Sequence, residues 1–328
     1  MKYFLIIFIL LFIVILFSGI FIWRGTFLPK EAGSVETVMF LIKKGEATKE
    51  ISIDLEKQGL IKNSFFFRIY ALIQGKTKEL KAGEYELSPA MTIPEIVAKL
   101  VSGEIIKKTI TIIEGWNLKD INDYLRDRGG TVPPKLDLYK KDYAFLEDAS
   151  DDVSLEGYLF PDTYEISSED GIEDIVRKML TNFGKKLNQD LREEITSQGK
   201  SIFEIITMAS LIEKEVKTLE DKKIVSDIFW KRLKIGKPLE SCATIAYILG
   251  VNKWRYSFDD TRILSPYNTY LNRGLPFGPI CNPGMESILA AIYPEESDYW
   301  FYLSTPEGKT IFSKTLGEHN IAKAKYLK

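Results

Sequence analysis

Two glutamates, Glu213 and Glu215, close an apolar run that reads SIFEIITMASLIEKEV over residues 201–216. A carboxylate in such a pattern is costly unless it is paired, exposed or used. On a helix that advances about 100° per residue from Ile202, Glu213 falls near 20° and Glu215 near 220°. Glu213 therefore lies inside the apolar arc, with Ile206, Ala209 and Val216, and Glu215 lies at its edge beside Glu204. The two cannot share one site on a regular helix. Desolvation disfavours the charged form of a carboxyl group, so an enclosed Glu213 suits a general acid. Glu215 is expected to be solvated or capping.

The remaining chemistry is restricted. His319 is the one histidine, and Cys242 and Cys281 are the two cysteines. That inventory does not build the usual His/Cys zinc sites, and a Ser-His-Asp triad would need His319. No metal and no cofactor is expected. A net charge of −2 argues against nucleic acid as a partner. Carboxylate chemistry is what remains.

Stepping outward, the 328 residues provide for a membrane segment and two domains. Residues 3–23 carry no charge and would make roughly 31 Å of helix, enough to cross a bilayer core. They read as an uncleaved anchor over residues 1–24. Residues 39–60 and 109–130 share a pattern of strand, Gly, polar turn and short amphipathic helix. It aligns Gly45 with Gly115, Ile51 with Ile121, Leu55 with Leu125 and Gly59 with Gly129. Residues 35–130 are thus an α+β region whose β-α-α-β pattern resembles a glycan-binding LysM module; a plain spacer or a dimer-forming domain is the other reading. The stretch 131–152, with its prolines and acidic end, reads as a linker region. A second α+β domain is expected over 153–328. Its helices run over 172–188, 201–217 and 219–233, and further helices start near 241, 285 and 316. The long irregular loop SPYNTYLNRGLPFGPICNPG (265–284) is too aromatic for disorder and long enough to be functional.

Four ordered motifs, LEGYLFPDTYEI, MASLIEKEV, YNTYLNRGLPFGPICNPG and EHN, resemble those of the YceG-like (MltG-type) family of endolytic murein transglycosylases. The resemblance covers residues 154–320 by motif, and the anchor and LysM-like region fit the family's layout. It implies cleavage of the β-1,4 bond between N-acetylmuramic acid and N-acetylglucosamine, leaving 1,6-anhydro ends, with Glu213 as single acid and base. It places Glu156, Tyr158, Asp162, Thr163, Tyr164, Tyr267, Asn268, Thr269, Tyr270, Pro276 and His319 against the substrate. Aromatic faces suit sugar rings, and Asn268 suits an N-acetyl group. The implied setting is the bacterial cytoplasmic membrane, single-pass, with the large domain outside. The implied partners are peptidoglycan strands, then peptidoglycan synthases and division or elongation proteins. An oxidising exterior would permit a Cys242–Cys281 disulfide. LESCAT departs from the family pattern at Glu240 and Cys242, which leaves position 242 without a role. Two alternatives stay open. One is a two-carboxylate muramidase using Glu156, Asp162 or Glu240. The other is a non-catalytic wall-binding scaffold.

Overall fold

A computed structural model describes residues 2–126, 131–133, 135–150, 152–251, 253 and 256–327. Gly129 of the repeat and Pro134 of the expected linker lie outside them. The chain divides into two compact units, Met1–Thr109 with Glu165–Asp170, and Ile110–Tyr164 with Gly171–Lys328. The division falls earlier than the linker expected at 131–152. The segment after Thr109 bonds into the second unit: Gly115 N–H donates to the Asn282 carbonyl (2.9 Å) and Asn282 N–H to the Trp116 carbonyl (2.8 Å).

In the first unit, α1 (Lys2–Phe27) is one long apolar helix; Ile6–Phe27 has the length and composition of a membrane anchor or a signal sequence. Strands β1 (Val38–Ile42) and β2 (Gly83–Leu87) pair antiparallel, with Phe40 opposite Tyr85. Alternate residues point inward, as a strand buried on one face requires. Helices α2 (Thr48–Lys57), α3 (Ser64–Ile73) and α4 (Ile93–Ser102) close a core of Phe40, Leu55, Phe67, Tyr85, Ile96 and Leu100. Thr92 caps α4 by accepting from Glu95 N–H, and Pro94 sits in its first turn.

Strand β3 (Lys108–Thr111) pairs with β4 (Thr163–Ile166), and the chain changes unit within each strand. The second unit continues with α5 (Leu118–Leu125), α6 (Ile172–Lys186), α7 (Gln189–Ser197), α8 (Ile202–Glu215) and α9 (Leu219–Lys234). It ends with α10 (Cys242–Leu249), α11 (Met285–Ile292), the antiparallel hairpin β5 (Phe301–Ser304) and β6 (Thr310–Ser313), and α12 (Leu316–Tyr326). Ser201 starts α8 with a capping box: its hydroxyl accepts from Glu204 N–H, and Glu204 Oε2 accepts from Ser201 N–H. Every residue of α8 from Ile205 to Ile212 is buried, so the helix is enclosed on all sides rather than along one stripe.

Candidate active site

The last turn of α8 presents Glu213, Lys214 and Glu215, after which Val216 turns extended and stops the helix. Each side chain meets a different element. Glu213 Oε2 accepts from Ser287 Oγ (2.6 Å) and Gly284 N–H (3.1 Å) at the start of α11. It faces the Lys222 ammonium of α9 at 3.5 Å, with both side chains almost fully buried. Lys222 also reaches Glu286 at 3.6 Å. Glu114 lies against Gly284, close enough that a Cβ there would displace its carboxylate. The Glu114 carboxyl is raised by burial first and then by the charge of Glu213. The apolar cage expected around Glu213 is thus a polar clamp that ties α8 to α9 and α11.

Glu215 is not the solvated or capping residue expected from helix arithmetic. Its carboxylate accepts from Ser241 Oγ, bonds the Tyr302 hydroxyl and accepts from Ala243 N–H in the first turn of α10. Burial raises its carboxyl pKa, against those hydrogen bonds and the nearby Arg232 guanidinium. The residue still keeps part of its surface open. A carboxyl group that burial raises and that keeps a partial opening is suited to hold a proton and pass it to a group that reaches it.

The surroundings are built from three segments. Arg232, 5% exposed, donates Nη1 to the Leu239 carbonyl (2.7 Å) and Nη2 to the Trp300 carbonyl (2.9 Å), and reaches Glu240 at 3.4 Å. Glu240 has φ +55°, the one positive value among the described non-glycine residues. Such a conformation costs about 1–3 kcal/mol and persists only where neighbours impose it. Here its N–H donates to the Thr269 carbonyl (3.1 Å), and Ser241 N–H donates to Thr269 Oγ1 (3.1 Å). Tyr270 then meets Cys242, hydroxyl to Sγ 3.0 Å, with burial raising both groups. The irregular loop thus delivers Thr269 and Tyr270 to the Glu215 side of α8.

The other expected site residues separate. Asn268 is fully buried and holds its own loop: Nδ2 donates to the Thr261 (3.0 Å) and Ile263 (2.8 Å) carbonyls, and Oδ1 accepts from Tyr270 N–H (2.9 Å). It has no donor left for an N-acetyl group. Glu156 is 2% exposed. It accepts from Leu118 N–H (3.1 Å) and Asn282 Nδ2 (3.2 Å), and burial pushes its carboxyl up to about 8. It is an interior strut rather than a sugar contact. Tyr158 is core, packed on Phe183 at 5.3 Å. Tyr164 is buried and bonded to the Phe160 carbonyl. Burial opposes ionisation of Asp162, but hydrogen bonds from Asn182 (3.0 Å) and Thr163 N–H (2.8 Å), with Lys186 nearby, leave its carboxyl lowered. Thr163 pairs with Thr111 Oγ1 at 2.9 Å in the β3–β4 ribbon. Tyr267 packs between Tyr247 and Phe277, and Pro276 is buried. His319 stacks on Phe301 (5.3 Å), and burial, with Lys323, Arg232 and Lys237 nearby, lowers it to about 4. Cys242 is exposed and Cys281 buried; both are free thiols, and Cys281 Sγ points to the Ser210 carbonyl (3.3 Å). The disulfide is not formed. Among the described residues no group of His, Cys, Asp or Glu is arranged to hold a metal.

Ser241, Tyr302 and Arg232 were missed from sequence. Ser241 stands at the N-cap of α10, a position readable from LESCAT. Nothing in the hairpin pattern marks Tyr302.

Residues 40–325 match the YceG-like family. The chain is 34% identical to an endolytic murein transglycosylase of Bacillus subtilis (strain 168), over 95% of this chain and 91% of that protein. It is 32% identical to a protein of the same name from Streptococcus pneumoniae serotype 2 (strain D39 / NCTC 7466), over 89% of this chain and 59% of that one. It also resembles the crystal structure of a YceG-like protein from Listeria monocytogenes, with 35% identity and a TM-score of 0.60, covering 88% of this chain and all of that one.

Proposed function

Because the chain belongs to the YceG-like family, we propose that it is a membrane-anchored endolytic murein transglycosylase. In this reading α1 is an uncleaved anchor, the second unit lies outside the cytoplasmic membrane, and the β-α-α-β elements of the first unit act as a LysM-like contact for glycan. The single observation that carries the chemistry is Glu215: a carboxyl group raised by burial, partly open, and held by Ser241, Tyr302 and the start of α10.

Glu215 protonates the glycosidic oxygen as its bond to C1 of N-acetylmuramic acid breaks. The resulting carboxylate takes the proton of the C6 hydroxyl as that oxygen bonds C1. The glycan is left with a 1,6-anhydro end, and the acid is regenerated without water being added. This moves the role expected for Glu213 by two residues. Glu213 is engaged by Lys222, Ser287 and Gly284, which suits architecture better than proton transfer. Tyr270, whose hydroxyl meets Cys242 next to Ser241, is the aromatic side chain proposed to meet the sugar.

The strained Glu240 favours a second reading. Its half-exposed carboxylate, close enough for its charge to act on Tyr270 as that of Glu215 does, could serve as base for a water, giving hydrolysis instead. Digestion of purified peptidoglycan followed by mass spectrometry tests both. Anhydro ends support transglycosylation, reducing ends support hydrolysis, and no cleavage by the folded wild-type chain would leave a wall-binding scaffold.

A further inference from the structure

Helix α3 reads SFFFRIYALI and is apolar almost all round, although it lies on the surface of the first unit. Its inner face, Phe66, Phe67 and Ala71, is buried. On the opposite arc, Phe65 is 48% exposed, Leu72 68% and Ile73 74%, with Ile69 between them. The spacing 65, 69, 72 and 73 puts these four on one helical face. A surface helix normally turns a polar face outward, so this face needs a partner.

Its position identifies the partner. Phe66 packs edge-on against Phe21 of α1 at 5.3 Å, and Tyr70 against Phe27 at 6.1 Å. Gly25 permits the approach, since a Cβ there would run into the Phe66 ring. Phe21 and Phe27 both belong to the apolar stretch Ile6–Phe27. Whatever surrounds the last two turns of α1 therefore also surrounds α3. Arg24, Lys30 and Lys62 are exposed around this junction, where cations meet lipid phosphates.

We infer that α3 is an interfacial helix that lies in the headgroup–acyl boundary of the bilayer, with Phe65, Ile69, Leu72 and Ile73 in lipid. The inference rests on the reading of α1 as an anchor. It gives the first unit a second hold on the membrane. A lone span leaves its soluble body free to swivel; a span with a lateral interfacial helix fixes the unit's height and tilt.

The test uses the full-length chain in vesicles of phosphatidylglycerol and phosphatidylethanolamine, with Cys242→Ser so that only the buried Cys281 thiol remains. Spin labels are placed through Leu72→Cys or Ile73→Cys on the outer arc, Ile15→Cys inside α1, and Lys57→Cys on the polar face of α2. Collision with oxygen, which concentrates in lipid, is compared with collision with a water-soluble nickel chelate. The expected result is that labels at 72 and 73 favour oxygen several-fold over the label at 57, approaching the label at 15. If labels at 72 and 73 behave like that at 57 while position 15 stays in lipid, the inference fails and the anchor stands. Shielding from both agents would mean that protein covers the face, and would also overturn it. An aqueous label at position 15 would sink the anchor reading and this inference together.

Discussion

Neutral amides at positions 213 and 215 should have opposite consequences. Glu213→Gln removes the charge facing a lysine that is 3% exposed, and leaves Lys222 with Glu286 at 3.6 Å and the nearby Glu114 carboxyl. Unpairing one partner of a buried ion pair costs about 3–5 kcal/mol; with Glu286 still in reach, the lower end, about 3 kcal/mol, is expected. For a unit of this size that is a fall in Tm of roughly 6–12 °C. Turnover of the folded fraction should stay near wild type. Glu215→Gln removes the proposed acid, worth about 10²–10⁴-fold in rate. Its stability effect has the other sign. The folded carboxyl is raised above its unfolded value of 4.5. The stability tied to its proton is complete below 4.5 and is lost as pH rises through the folded value. A glutamine never ionises, so Tm should match or exceed wild type at neutral and alkaline pH. Scanning fluorimetry and anhydro-end release from purified peptidoglycan, on the same preparations, read both axes. Full turnover in Glu215→Gln, or a dead but thermally unchanged Glu213→Gln, would refute the assignment of roles.

Three further outcomes follow from the same geometry. Glu156, raised from 4.5 to about 8, makes folding stability fall between those values, because the unfolded carboxyl ionises first; Glu156→Gln should flatten Tm against pH over that window, and an unchanged slope would mean the group is not buried as described. Thiol titration of the native chain should find one accessible cysteine, Cys242, with Cys281 reacting only after denaturation, and alkylation at 242 should lower activity because the thiol adjoins Tyr270 near Glu215. Asn268→Ala removes three hydrogen bonds from a fully buried side chain; at about 1 kcal/mol each, a loss of about 3 kcal/mol is expected in chemical denaturation, and a change under half that would deny Asn268 its hold on the loop.

Local signals are legible in this sequence and tertiary ones are not. The start of α8 at Ser201 depends on a few neighbouring residues, and it appears where the sequence pointed. The repeat also left its mark: Gly45 and Gly115 both take positive φ, as a strand-to-helix turn requires. Helix α7 went unread because its residues are polar, with Ile195 alone buried. The expectation that Glu215 is solvated fails for a definite reason. Angular arithmetic assumes a helix with one wet side, whereas α8 is enclosed all round and ends at Glu215, so that angle carries no information on burial. What separates the two carboxylates is their neighbours, Lys222 and Ser287 against Ser241 and Tyr302, from segments up to 87 residues away in sequence. In the motif 156–164, Glu156, Tyr158, Phe160 and Tyr164 are interior, whereas Asp162 and Thr163 keep surface open, a split that the sequence pattern does not reveal.

The first unit takes its last piece, Glu165–Asp170, from beyond 55 residues that belong to the second. During synthesis this imposes an order of events. The core of the first unit lies between Phe40 and Leu100, so it can form early, and Glu165–Asp170 is added to it only after Ile110–Tyr164 has been made ahead of most of the second unit. Production of Gly171–Lys328 takes on the order of 10–30 s at ordinary elongation rates. Throughout that interval Glu156, Tyr158 and Phe160 wait uncovered, and Asn282, which bonds Glu156 and the amides of Gly157 and Leu159, is among the later residues to arrive. Nascent chains arrested before residue 282 should therefore be the protease-sensitive ones, and the vulnerable stretch should be the early half of the second unit rather than the newest residues.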